Sequence, residues 1–149
     1  MDSIRNFVQL TTNIGTAGQP RAEQFQLIAD QGYRHVINLG LSSHSDAVVD
    51  EDKRLADLGL NYFHIPVPFD HPRPEQVRRF CLLMDMLRDD KVFVHCIMNY
   101  RASAFLYQYL TKLAGYDEAS ARSPMLDSWT PPAVWQELLS WTRQDIGLV

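Results

Sequence analysis

The sequence predicts an α/β fold, a mostly parallel central sheet flanked by helices and closed by a helical C-terminal cap. Two observations predict it. Short runs rich in β-branched and aromatic residues alternate with segments of helical period, the pattern of parallel strands joined by crossover helices. After residue 102 only helical patterns follow. The chain has 149 residues, 46% hydrophobic and 21% charged, which is about one domain's worth with enough apolar material for a core. No repeat, low-complexity tract or linker interrupts it, so residues 1–149 read as a single domain.

In order, Phe7–Leu10 and Asn13–Thr16 are expected as short extended pieces, broken by Gly15 and Gly18. Arg21–Gln31 places Ala22, Phe25, Ile28 and Ala29 at helical spacing, with Gly32 as the stop. Tyr33–Leu39 is a strand ended by Gly40, and Ala47–Leu58 a polar-faced helix stopped by Gly59. Leu60–Val67 is a second strand, placed near a sheet edge by Pro66. Pro74–Leu87 is a helix with Val77, Phe80, Cys81, Met84 and Leu87 on one stripe. Lys91–His95 is a short buried strand, and a helix from Ala102 to Leu113 follows it closely. Asp117–Arg122 can start another helix, and Thr130 with Pro131 opens the last one, Pro131–Thr142. Trp129, Trp135 and Trp141 are assigned to the core of this cap.

The formal net charge of −4, with no basic run, argues against nucleic acid and anionic membrane as partners. The charged start Met1-Asp2-Ser3-Ile4-Arg5 does not fit a signal peptide, and no window approaches the ~18 apolar residues of a membrane span. A cytoplasmic protein is expected, with Cys81 and Cys96 reduced. His35, His44 and His64 lack metal-ligand spacing, so neither metal nor cofactor is expected.

Parallel sheets put their sites at the carboxyl ends of strands, which directs attention to residues 40–46, 68–73 and 95–102. The last of these, His95-Cys96-Ile97-Met98-Asn99-Tyr100-Arg101, is the informative one. A cysteine between a strand and a helix faces backbone N–H groups with no partner. Those donors, the helix dipole and a nearby guanidinium favour an anion there. Holding a thiol ionised at neutral pH takes about 3–4 kcal/mol of preferential stabilisation of the anion. A helix terminus offers up to about 2 kcal/mol and each charge-assisted hydrogen bond about 1.5–3, so the parts suffice. Arg101 also supplies a fork for two oxygens of a tetrahedral phosphate. A thiolate with an oxyanion clamp is equipment for covalent phosphoryl transfer, with a phosphorylated substrate or a phosphate or sulfate anion as partner.

The run V-H-C-I-M-N-Y-R resembles the signature loop of the cysteine-dependent protein tyrosine and dual-specificity phosphatases. I-G-T-A-G-Q-P at 14–20, H-V-I-N-L at 35–39 and Y-F-H-I-P-V at 62–67 resemble a bacterial, beta-lactamase-hydrolase-like branch of them. The likeness spans roughly residues 10–115. It implies a phosphotyrosine-phosphatase-like fold, with Cys96 as nucleophile, Arg101 as phosphate clamp and the backbone of Ile97, Met98, Asn99, Tyr100 and Arg101 as cradle. His95 and Ser103 would support the loop. Three departures stand out. Four residues separate Cys96 from Arg101 where the family has five, which costs about one N–H donor. The loop has no glycine, leaving Asn99 as the residue that best tolerates positive φ. Ala102 occupies the place of the usual Ser or Thr, with Ser103 one position later.

Asp70, in Pro68-Phe69-Asp70-His71-Pro72, follows the preceding strand at the same end of the sheet, and is the expected general acid, with His71 in reserve. A turn residue before a helix would look the same in sequence. Cys81 reads as core, Arg78 and Arg79 as a solvated helix face, and Ser42, Ser43 and His44 as wall residues of a pocket or plain loop. Two other functions stay open: a rhodanese-like sulfurtransferase, whose loop is commonly of this shorter length, and an anion-binding regulatory module of little or no activity.

Overall fold

The computed structural model describes residues 1–148. Five strands form one sheet in the order β1-β2-β5-β3-β4: β1 Val8–Gln9, β2 Ile14–Ala17, β3 His35–Asn38, β4 Asn61–His64 and β5 Val92–His95. Only the β1–β2 hairpin is antiparallel; β2, β5, β3 and β4 run parallel. β5 is central, with Thr16 and Ile37 both in register with Val94. β4 lies at one edge and β1 at the other; just beyond β4, Ile65 and Val67 donate to the carbonyls of Asn38 and Leu39, and the proline between them has no N–H to leave unpaired.

Side chains alternate between two cores, as the pleat demands. Val36 and Phe93 face α1 (Phe25–Asp30) and α2 (Glu51–Asp57), where Phe25, Ile28 and Leu55 are buried. Ile37, Val92 and Val94 face the other side, against α3 (Pro74–Met86) and α4 (Tyr100–Lys112). The chain steps one way along the sheet through α1 and α2 and back through α3. Right-handed crossovers therefore put α3 on the opposite face. The stripe of α3 is buried as its spacing implied, Val77, Phe80 and Cys81 fully so. From Arg101 to Leu110 every residue of α4 is buried, because α3, α5 (Glu118–Ala121), α6 (Met125–Ser128) and α7 (Ala133–Ser140) enclose it.

The strands expected over Tyr33–Leu39 and Leu60–Val67 are shorter, His35–Asn38 and Asn61–His64, and Gly15 lies inside β2 rather than breaking it. Four helix starts differ by two residues or more from the sequence expectation. Residues 22–24 form a 3₁₀ turn, so the first α-helix begins at Phe25; Gly32 ends it at φ +87°. The second helix starts at Glu51 rather than Ala47, because Asp50 lies in the left-handed region at φ 57°. The last helix starts at Ala133: a residue before proline is pushed out of the α region, which keeps Thr130 and Pro131 extended ahead of Pro132. The helix after the cysteine begins at Tyr100, two residues before Ala102, and this one shapes the site.

Candidate active site

Cys96 follows the last residue of the central strand, and α4 begins four residues later. Arg101 therefore stands in the first turn of α4 rather than at the end of a six-residue loop. Asn99 makes the short turn feasible. It adopts φ 73°, ψ 12°, the one left-handed residue the turn needs, and without glycine it is stabilised by its side chain. Its buried Oδ1 accepts from Thr16 Oγ1 at 2.7 Å and Ser103 Oγ at 3.2 Å, while its Nδ2 donates to the carbonyl of Asn6 at 2.8 Å. Ser103 thus supports the turn through Asn99. Its hydroxyl donates to Asn99 Oδ1.

The segment at 14–20 braces the same turn. Cys96 N–H donates to Ala17 O and Gln19 N–H to Ile97 O. Gly18 passes so close that a Cβ there would lie 2.3 Å from the Ile97 carbonyl oxygen, which no side chain can relieve. Beneath the loop His95 is fully buried, with Nδ1 at 3.0 Å from Cys96 O and Nε2 at 2.7 Å from Glu51 Oε2.

The turn leaves a run of backbone donors without partners. Among the described residues, none accepts a hydrogen bond from the backbone N–H of Ile97, Met98, Asn99, Tyr100, Arg101 or Ala102. Ala102 N–H is among them because the helix starts early, at Tyr100. Arg101, only 7% exposed, donates to Val67 O at 2.7 Å, and its guanidinium lies 5.9 Å from the Phe69 ring centre. Among the described residues no carboxylate comes within 4.0 Å of it. A buried cation is ordinarily paired, since its desolvation costs several kcal/mol. Here the missing charge is one that a bound anion would supply.

Cys96 is 1% exposed and counts with the core, yet it opens on a pocket of about 320 Å³ that Arg101, Ile97, Met98 and Tyr100 also line. Leu41, Ser43, His44 and Phe69 complete the wall; Ser42 faces a neighbouring cavity instead. Asp70 is exposed in the turn after Phe69, outside the lining, and His71 is exposed beside it. That turn is fastened by the bond from Arg101 to Val67 O, by Trp135 Nε1 donating to Phe69 O at 2.6 Å, and by His71 N–H to Pro68 O. Of the three tryptophans only Trp135 is fully buried. Trp129 stacks on Tyr100 with ring centres 4.9 Å apart and planes 4° apart, so it backs the pocket wall. Among the described residues no three His, Cys, Asp or Glu side chains converge as metal ligands.

The second cysteine behaves as core. Burial pushes the Cys81 thiol up to about 12, which at pH 8 leaves about one molecule in ten thousand ionised. Brief iodoacetamide treatment of the native protein at pH 8 is therefore expected to label Cys96 and spare Cys81, as read by peptide mapping. Labelling of Cys81 ahead of Cys96 would contradict this assignment of the two thiols.

The model of the family described as DSP-PTPase phosphatase fused to NAD+ kinase matches residues 6–128, beyond the 10–115 over which the resemblance was legible. The chain belongs to this family. A Shewanella putrefaciens CN-32 protein assigned as a phosphatase (DUF442) is 35% identical, with 98% of this chain and 96% of that one covered at a TM-score of 0.86. Tk-PTP in its active form shares the fold at 16% identity, 90% and 93% coverage and a TM-score of 0.74. P. aeruginosa TpbA, solved as a cysteine-to-serine variant in complex with phosphotyrosine, shares it at 18% identity, 78% and 68% coverage and a TM-score of 0.61. Comparison with the curated proteins finds no match. Among the described residues of this DSP-PTPase family member, no helix is long and apolar enough to cross a membrane.

Proposed function

We propose that this DSP-PTPase family member hydrolyses a phosphomonoester through a phosphocysteine intermediate. Cys96 thiolate attacks phosphorus and the P–O ester bond breaks. Asp70 gives its proton to the departing oxygen, then takes one from the water that attacks the phosphocysteine, releasing inorganic phosphate and the free thiolate. Arg101 and the N–H groups of residues 97–102 hold the equatorial oxygens throughout. The observation that carries this reading is that the buried Arg101, with no carboxylate partner among the described residues, shares one pocket with Cys96 at the N-terminus of α4. TpbA has been solved with phosphotyrosine and PTPMT1 with PI(5)P. With one cationic side chain lining it, the pocket here favours a singly phosphorylated group over a polyphosphate.

Intact mass tests the reading directly. After brief exposure to an aryl phosphate, the protein is expected to gain a phosphoryl group that the Cys96→Ser variant does not gain. The four-residue spacing between Cys96 and Arg101 favours sulfur transfer as the second reading. A persulfide formed on Cys96 from thiosulfate would support that and overturn the first. Phosphate binding without any adduct would leave an anion-binding module.

A further inference from the structure

The turn that carries Cys96 is held from outside by a segment the proposed chemistry does not use. Residues 4–7 are anchored on both sides of Asn6. Ile4 is buried in the core, Arg5 O accepts from Gly18 N–H at 2.8 Å, and Phe7 stacks on Phe93 of β5 with ring centres 6.2 Å apart. Between these anchors Asn6 is exposed and left-handed, at φ 52°. We propose that Asn6 is a positioning residue for the anion site: by holding the Met98 carbonyl outward, it turns the Asn99 N–H toward the bound anion. The proposal rests on the anion-holding part of the function proposed above and not on turnover.

Peptide geometry carries it. A trans peptide is planar, so its C=O and its N–H point opposite ways. Asn6 Nδ2 donates to Met98 O at 2.9 Å, which fixes the plane shared by Met98 O and Asn99 N–H. Asn6 does not line the pocket, whereas Met98 and Tyr100, on either side of Asn99, do. An N–H directed away from Asn6 is therefore directed to the pocket side of the turn. The plane before it is set in the same way from a different segment: Gln19 N–H donates to Ile97 O at 2.9 Å, which directs the Met98 N–H. Two carbonyls anchored outside leave two donors for an anion inside.

The alternative that Asn6 opposes is a rotation of the Met98–Asn99 peptide plane. Half a turn of that plane would return Asn99 to negative φ, the ordinary choice for a residue with a side chain. It would also put the Met98 carbonyl oxygen where an anion has to sit. The three hydrogen bonds of the Asn99 side chain, with Thr16, Ser103 and the Asn6 carbonyl, hold the residue but not the plane before it. Of the three non-glycine residues with positive φ among those described, two are Asn6 and Asn99, and they bond to each other's neighbourhood. Such backbone persists only where its surroundings over-determine it, and it gathers at working sites.

Asn6→Gly removes one contact and little else. Glycine adopts φ 52° freely, the position is exposed, and the backbone carbonyl that accepts from Asn99 Nδ2 stays. The probe is inorganic phosphate, titrated into ¹⁵N-labelled protein. In the wild-type protein the Met98 and Asn99 amide protons are both expected to move downfield as phosphate binds. In Asn6→Gly the Asn99 response is expected to vanish and the Met98 response to stay, with an unfolding midpoint near that of wild type. The phosphate Kd is expected to rise about tenfold, the smaller end of what a hydrogen bond to a charged group contributes. Asn6→Asp tolerates the same backbone but has no donor; it is expected to lose the same Asn99 response, and it decides the matter if Asn6→Gly does not fold. An Asn99 amide indifferent to phosphate in the wild-type protein overturns the proposal, as does a folded Asn6→Gly with wild-type response and affinity. Loss of the Met98 and Asn99 responses together would show a general loosening of the turn and would overturn it too. Intact mass reads phosphoryl transfer separately. The expected Asn99 pattern in a protein forming no adduct keeps this inference and removes the proposed hydrolysis; an adduct beside an indifferent Asn99 amide does the reverse.

Discussion

Replacing Arg101 by alanine is expected to lower kcat/KM for p-nitrophenyl phosphate by about 10³–10⁵-fold, the range for a guanidinium that meets the charge of a transferring phosphoryl group. Arg101→Lys keeps the charge and loses the fork, and is expected to cost about 10²–10³-fold, comparable to one oxyanion donor. Two features make the loss chemical rather than structural. Arg101 has no carboxylate partner among the described residues that its removal would orphan. Among the described residues its side chain makes one hydrogen bond, to Val67 O, so its removal unpairs a single carbonyl. Steady-state kinetics beside a thermal unfolding curve checks this. A folded Arg101→Ala enzyme within tenfold of wild type would remove Arg101 from the phosphate site.

Asp70→Asn is expected to slow hydrolysis of phenyl phosphate by about 10²–10⁴-fold. The loss should shrink for aryl phosphates whose leaving group needs no proton, such as a dinitrophenyl ester. A merely structural role for Asp70 would slow both substrates equally. The geometry favouring Asp70 is indirect. Its neighbour Phe69 lines the pocket, and the turn is tied on one side to Arg101 and on the other to Trp135. The carboxylate itself is exposed and outside the pocket lining, so a substrate has to complete that part of the site. An equal rate for wild type and Asp70→Asn on phenyl phosphate would eliminate it and turn attention to His71.

The parts of the site legible in sequence were those whose chemistry is local. Cys96 and Arg101 are five positions apart, and a strand of four buried residues on one side and a helical period on the other are enough to place them. Asn99 was legible for the same reason, since in a turn without glycine one residue type stands out for positive φ. Where the helix began was not. The first turn of α4 forms at Tyr100 because Thr16, Ser103 and Asn6 together hold Asn99 in place, and two of those three lie more than eighty residues away. Trp129 packs against the core as its sequence context implied, and it also stacks on Tyr100, a contact with the pocket wall that no local pattern encodes.

Glu51 left no signal at all. In sequence it is one acid among Asp50, Glu51 and Asp52 at the start of a polar-faced helix, indistinguishable from a solvated residue. Only the left-handed Asp50 and the packing of α2 against the sheet turn it inward to His95. Gly18 was noted as a break in an extended piece; the close pass of the Ile97 carbonyl is its reason.

Periodicity and turn chemistry, which act within a few residues, determined by themselves that this chain builds a parallel α/β layer and sets a thiol and a guanidinium where a strand becomes a helix. Tertiary structure alone decided what surrounds them: the bonds that hold Asn99, the Val67 anchor and the Glu51–His95 pair. These depend on hydrogen bonds spanning 34 to 93 positions, as from Arg101 to Val67 and from Asn99 to Asn6, and no local pattern encodes a partner that far along the chain.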